Sequence, residues 1–229
     1  MKRPAVDYRN FRFSRLNDPA FSHLKLLSAW IGYLVMYLLT ENLIPAERCH
    51  LIHAPLDDLI PFCEAFVVFY VLWYLFVFLA LLWYLLYDAE RFRQLQTFII
   101  ITQIVAMAVY ILYPSVQDLR PETFPRENVF TWVLTGIYAA DTPTGVCPSL
   151  HVAYSLGISS VYLKDPKMSR WAKWAVVVLS LLICASTLFV KQHSVLDVGS
   201  GLLLSLLAEL IVFGKSWWLP RLRRRKSGS

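Results

Sequence analysis

Charge is scarce in this chain. Lysine, arginine, aspartate and glutamate make up 17% of its 229 residues, against about 25% in an ordinary soluble domain. Hydrophobic residues make up 57%, and the mean hydropathy is +0.51. These values exclude a disordered chain, a nucleic-acid-binding tail protein and an ordinary cytosolic enzyme, and they point to a polytopic membrane protein. Other things are missing too. The first 23 residues are polar and basic with no early apolar core, so a cleaved signal peptide is not expected. There is no internal repeat, no low-complexity segment and no CxxC. Of the four cysteines, Cys184 lies in an apolar run and reads as a small buried hydrophobe. Cys49, Cys63 and Cys147 could face an oxidising compartment, but no pairing follows from the sequence.

What is present is a series of apolar stretches. They run over 24–44, 65–87, 97–113, 150–163, 171–190 and 195–218, and a membrane helix needs about 20 residues. The expectation is an all-α polytopic membrane helix bundle of about six spans. It divides into a cytoplasmic segment at 1–23, a six-span catalytic membrane domain at 24–218 and a basic cytoplasmic tail at 219–229. The fourth stretch is short, so it is expected to extend upstream or to tilt. Two connections carry more than loop. ENLIPAERCHLIHAPLDDLIPFCE, between spans one and two, is too polar for lipid and too apolar for a plain loop. After span three, Val129 to Ala140 is apolar and is expected at the interface or against the bundle.

The formal net charge of +6 becomes informative once it is distributed. With the N-terminus inside, 18 of the 22 basic residues fall on the inner side, leaving only Arg48, Arg120, Arg126 and Lys191 outside. The positive-inside rule therefore puts both termini in the cytoplasm. The charge surplus is thus mostly a topology signal. The inner basic residues are expected to meet anionic lipid headgroups. A nucleic-acid role for RLRRRK is disfavoured because that run abuts a span.

Three polar clusters then fall on the outer side. The first is Arg120–Pro121. The second is CPSLH, Cys147 to His151. The third is KQHSVLD, Lys191 to Asp197. At spacing i, i+4, His193 and Asp197 share a helix face with Cβ atoms about 5–6 Å apart. That places a carboxylate where it can orient an imidazole nucleophile or base. Pro148 suits the first turn of a helix. The unpaired N–H groups of that turn, with the hydroxyl of Ser149, favour an anion, and His151 stands ready as a proton donor. Taken singly, the pair and the helix start are ordinary interfacial features. Together they supply an anion cradle, the fixed cations Arg120 and Lys191, an acid and an oriented nucleophile, which is what phosphoryl transfer asks for. Nothing in the set requires a metal or cofactor.

RP, PSLH and HSVLD, in this order and on one side, resemble the signature motifs of the type-2 phosphatidate phosphatase superfamily, which read K-x6-RP, PSGH and SR-x5-H-x3-D. The resemblance covers residues 24–218. It implies hydrolysis or transfer of a lipid phosphate through a phosphohistidine. His193 would be the nucleophile, Asp197 its orienter, His151 the general acid, and Arg120 and Ser149 the phosphate ligands. Three departures stand out. Tyr113 occupies the place of the first motif's lysine, Thr187 that of the third motif's arginine, and PSGH has become PSLH. Lys191 is the candidate replacement for one missing cation. PSLH and STLFVKQHSVLD are more similar to the branch that includes inositol phosphorylceramide synthase, whose members pass a phospho-headgroup to an alcohol.

The expected activity is hydrolysis of a lipid phosphate or diphosphate at the extracytoplasmic face of the plasma (inner) membrane. Transfer to an alcohol acceptor, or a non-catalytic lipid-binding or transport role, are the alternatives. The remaining polar residues read more simply. Cys49, His50 and His53 lack a second ligand pair at zinc-site spacing. Asp57 and Asp58 read as caps of a short helix. Glu209, inside span six, reads as a protonated or hydrogen-bonded packing residue. The aromatic run after Phe66 reads as lipid-facing or bundle packing.

Overall fold

The computed structural model describes residue 4 and residues 6–221. Lys2, Arg3, Arg223, Arg224, Arg225 and Lys226, which enter the charge argument, lie outside the described residues. The fold is an all-α bundle. Its helices are α1 (Ser28–Leu43), α2 (Pro55–Leu59), α3 (Val67–Tyr87), α4 (Ala89–Leu112), α5 (Val129–Ala140), α6 (Leu150–Lys164), α7 (Arg170–Phe189) and α8 (Val195–Phe213). Short 3-10 turns precede α1 and α3, and a π turn, Gly214–Trp218, follows α8. Sequence signals mark several helix starts. The carboxylate of Asp88 accepts from Arg91 N–H, Asn128 accepts from Phe130 and Thr131 N–H, and the hydroxyls of Ser169 and Ser194 cap α7 and α8.

Five helices among the described residues are long and apolar enough to cross a membrane, as in an integral membrane protein. The expectation was about six. The stretch expected to be the fourth span is α6, only 15 residues long, and it does not extend upstream of Leu150. The reason lies in its surroundings. It packs against α3, α4, α7 and α8, and Val152, Ala153, Ile158 and Val161 are buried. A helix enclosed by protein needs little lipid-facing apolar surface. Small residues bring its neighbours close: a Cβ on Gly157 would sit 2.6 Å from the Phe98 ring, and one on Gly201 of α8 2.7 Å from the Ser149 carbonyl.

α4 begins eight residues before the apolar stretch expected at 97–113. Its polar first turns are part of the packing, not loop. Arg91 donates to the Lys164 carbonyl, and buried Gln96 accepts from Trp30 Nε1 and donates to the Leu26 carbonyl. Cys184 is half-buried rather than buried, and all four cysteines are free thiols.

Alternation of helix direction sorts the connections to two ends. One end gathers α2, α5 and a two-stranded parallel pairing of β1 (His50–Leu51) with β2 (Ser115–Val116). The other gathers the α3–α4 and α6–α7 joints and the first and last described segments. There, Lys167 pairs with Asp88, and Tyr8 donates to the Leu85 carbonyl. Lys164 and Glu209 form a buried ion pair at 2.6 Å. Ser160 and Trp218 also donate to Glu209. The Lys164 ammonium stands 4.4 Å from the Phe213 ring centre. The intramembrane acid of α8 is therefore a salt-bridge partner.

α5 lies against the bundle, as Val129 to Ala140 was expected to do. Its Leu134 packs with Val67, Tyr70 and Val190. Asp57 caps α2 through Ala54 N–H, while Asp58 pairs with His53.

Candidate active site

The KQHSVLD segment forms the tight joint between α7 and α8. The Thr187 carbonyl accepts both Gln192 and His193 N–H, at 3.0 and 3.1 Å. Lys191 takes a left-handed backbone conformation, φ 55°, which costs a non-glycine residue about 1–2 kcal/mol. Its ammonium offsets that cost by donating to the Asp57 and Ile60 carbonyls, at 2.8 and 2.6 Å. His193 follows after Gln192 and is 8% exposed. Its Nδ1 lies 3.3 Å from Asp197 Oδ2, which also accepts Ser194 N–H at 2.9 Å. Asp197 sits at the third position of α8, so one carboxylate both caps the helix and orients the imidazole.

The second cluster meets the first through the backbone. Ser149 N–H donates to the Asp197 carbonyl at 3.1 Å. His151, in the first turn of α6, is thereby brought to His193, with ring centres 5.7 Å apart and planes inclined by 63°. Aromatic rings of α3 hold it: Tyr70 lies at 4.5 Å and Trp73 at 4.1 Å, centre to centre. His151 Nε2, Asp197 Oδ1 and Ser149 Oγ are buried with no hydrogen-bond partner among the described residues.

Arg120 stands one side chain removed from the histidines. Its guanidinium donates to the Tyr138, Asp141 and Thr142 carbonyls and to Gln192 Oε1, and it lies over the Tyr138 ring at 4.7 Å. Burial holds it below its ordinary value, against the pull of Asp141, though an arginine stays charged regardless. It ties α5 and the following loop to the histidine loop, and Gln192 links it to His193.

Beside these groups lies a cavity of about 690 Å³. His151, His193, Gln192, Asp141 and Thr142 line one end. From there a groove runs between α1, at Trp30, Leu34 and Tyr37, and α3, from Trp73 to Leu85. The twelve residue steps from Trp73 to Leu85 correspond to about 18 Å of helix rise. α1 packs mainly along α4, which leaves the α1–α3 side to the groove. Its wall is largely aliphatic and aromatic.

Of the six residues singled out from sequence, His193, Asp197 and His151 converge directly. Ser149 joins them as the buried start of α6 but is not on the cavity wall. Arg120 reaches the site through Gln192. Lys191 is bound to the end of α2 and does not line the cavity. His50 stacks on Tyr113, centres 4.1 Å apart, and His53 bonds Asp118 and Asp58. No group of three or more His, Cys, Asp or Glu side chains is placed to hold a metal ion among the described residues.

Sequence reading passed over Gln192, whose Nε2 is buried, unpartnered and beside the nucleophile candidate. The signal was its place in KQH. It also passed over Tyr70 and Trp73, hidden in an aromatic run that looked uniform, and over Asp57 as a partner of α8. Asp57 is 2% exposed and accepts from Ser194 Oγ, Val195 N–H and Ala54 N–H. Burial opposes its ionisation, but these three donors outweigh burial and hold its carboxyl below the ordinary range.

Comparison of the chain with protein-family models, with characterised proteins and with solved structures returns no match. The functional reading therefore stands on the site's own chemistry.

Proposed function

We propose that the protein is an integral-membrane enzyme that cleaves a lipid phosphate ester or diphosphate by way of a phosphohistidine. The carrying observation is the meeting of the His193–Asp197 pair with His151 at the polar end of an apolar groove. The motif likeness to the type-2 phosphatidate phosphatase superfamily supports the same reading.

In this reading the lipid chain lies in the α1–α3 groove, and its phosphate sits between the histidines. Asp197 accepts Nδ1–H of His193 and leaves the Nε2 lone pair to attack phosphorus in line. As the P–O bond to the lipid breaks, His151 gives its proton to the departing oxygen. The rings of Tyr70 and Trp73 hold the plane of that imidazole. Gln192 Nε2, on the cavity wall, is the donor available to the phosphoryl oxygens; the Ser149 hydroxyl lies behind that wall at the start of α6. Water then attacks the phosphohistidine, His151 takes the water's proton, and phosphate leaves.

A second reading, transfer of a phospho-headgroup to an alcohol, has its own support. Every terminal nitrogen of Arg120 is occupied, and Asp141 stands on the cavity wall. Such a site suits a singly charged diester better than a monoester dianion. The distribution of basic residues supports a site on the extracytoplasmic face of the plasma (inner) membrane, with anionic lipids at the opposite, basic end.

The test is purified full-length protein offered phosphatidate, a polyprenyl diphosphate and a phosphodiester lipid, with and without acceptor alcohols. Turnover of one of the three that vanishes in His193→Ala is expected. Unchanged turnover in that variant would remove His193 from the mechanism.

A further inference from the structure

The connection between α1 and α3 contains a buried carboxylate that the mechanism above does not use. Asp57, on the five-residue α2, accepts from Ser194 Oγ at 2.6 Å and Val195 N–H at 2.8 Å. Those are the two residues that follow His193. On its other flank, two residues before it, Lys191 donates to the carbonyls of Asp57 and Ile60. Just beyond α2, Cys63 N–H donates to the Phe189 carbonyl at 2.9 Å. The histidine loop is thus gripped on both sides by one short segment, residues 57–63. Ser194 carries the grip inward. Its hydroxyl donates to Asp57 and accepts Leu196 N–H, while its own N–H donates to Asp197 Oδ2. That is the same oxygen that faces His193 Nδ1.

From this relay we infer that Asp57 is a positioning residue for the His193–Asp197 pair. The inference rests on the reading of His193 as nucleophile. Asp57 touches no reacting atom. It fixes where Ser194 holds Asp197, and hence where the imidazole points. A charged carboxylate suits the task because it accepts three donors at once. An asparagine has one acceptor oxygen and would turn an N–H toward a donor. A misplacement of about 1 Å at a reacting group can cost about 100-fold in rate, so the expected effect of Asp57→Asn falls on the chemical step and not on lipid binding in the distant groove.

The experiment uses the full chain in lipid nanodiscs, with Asp57→Asn, Ser194→Ala and the double variant. Two readouts are taken: phosphohistidine formation from labelled lipid phosphate, and the rate of diethyl pyrocarbonate modification of His193, mapped by mass spectrometry with exposed His50 as internal standard. Each single variant should slow phosphohistidine formation by about 100-fold with KM little changed. The double variant should be no slower than the worse single one, because both act through one relay. His193 should be modified several-fold faster in both. Ser194→Ala, a loss of one hydroxyl, carries the test if Asp57→Asn does not fold. Unchanged phosphorylation and modification, or losses that multiply in the double variant, would overturn the inference. If the wild type forms no phosphohistidine, the functional reading fails instead, and the modification rates alone decide the grip.

Discussion

His151 and His193 face each other across 5.7 Å, ring centre to ring centre, although 42 positions separate them in the chain. Two features set that distance: the hydrogen bond from Ser149 N–H to the Asp197 carbonyl, and the close approach of Gly201 to the start of α6. His151 Nε2 has no hydrogen-bond partner among the described residues, so the proposed acid stands beside the proposed nucleophile with that nitrogen unengaged.

The roles proposed for the two histidines predict different responses to the leaving group. His151→Ala is expected to lower turnover of an alkyl lipid phosphate by about 10²–10⁴-fold, the usual range for loss of a general acid. With a nitrophenyl ester, which departs without a proton, the loss should be small. His193→Ala should abolish both reactions. A steady-state comparison of the two esters in each variant checks this, and equal losses for His151→Ala on both would remove it as the acid.

The groove makes a separate prediction. Val77 lines it midway along α3. Val77→Phe should raise KM for a long-chain lipid phosphate while leaving a short-chain ester unaffected. Overpacking should cost about 1–3 kcal/mol of stability at most. Measuring KM across a chain-length series separates a blocked groove from a damaged fold.

Gly201 couples packing to the site. A Cβ there would meet a backbone carbonyl, that of Ser149, whereas at Gly157 it would meet a ring, that of Phe98. A side chain can yield and a helix start cannot without moving His151. Gly201→Ala should therefore reduce activity more than Gly157→Ala at comparable thermal stability, with each expected to destabilise by about 1–3 kcal/mol.

At the far end of the bundle, the Lys164–Glu209 pair is 7% and 13% exposed in its side chains. Removing one partner strands a buried charge. Lys164→Met should destabilise by about 3–5 kcal/mol, and Lys164→Met with Glu209→Leu should regain most of it. Unfolding in denaturing detergent, followed by tryptophan fluorescence, checks both.

How much of this could be read from the sequence depended on where each residue finds its partners. Apolar stretches located α1, α3, α7 and α8 closely, because helices that face lipid must be apolar along their length. They located α6 too, at 150–163, but began α4 eight residues late. Gln96 and Arg91 look like loop residues until Trp30, Leu26 and Lys164 supply their partners. The 15-residue α6, enclosed by other helices, is not among the five long enough to cross a membrane. In the site, the local pair His193 and Asp197 was legible at i, i+4. The roles of Arg120 and Lys191 were not, since both depend on carbonyls far away in the chain: Tyr138 to Thr142 for one, Asp57 and Ile60 for the other. Spacing reports neighbours on one helix and is silent about acceptors supplied by another segment.

The most direct measurement of the central claim is chemical trapping of the intermediate. Full-length protein is mixed with lipid labelled at the phosphate, quenched in alkali and digested. The account predicts one alkali-stable, acid-labile phosphohistidine, mapped to His193 and absent from His193→Ala. Turnover in the wild type with no labelled histidine, or label that persists in His193→Ala, would contradict it.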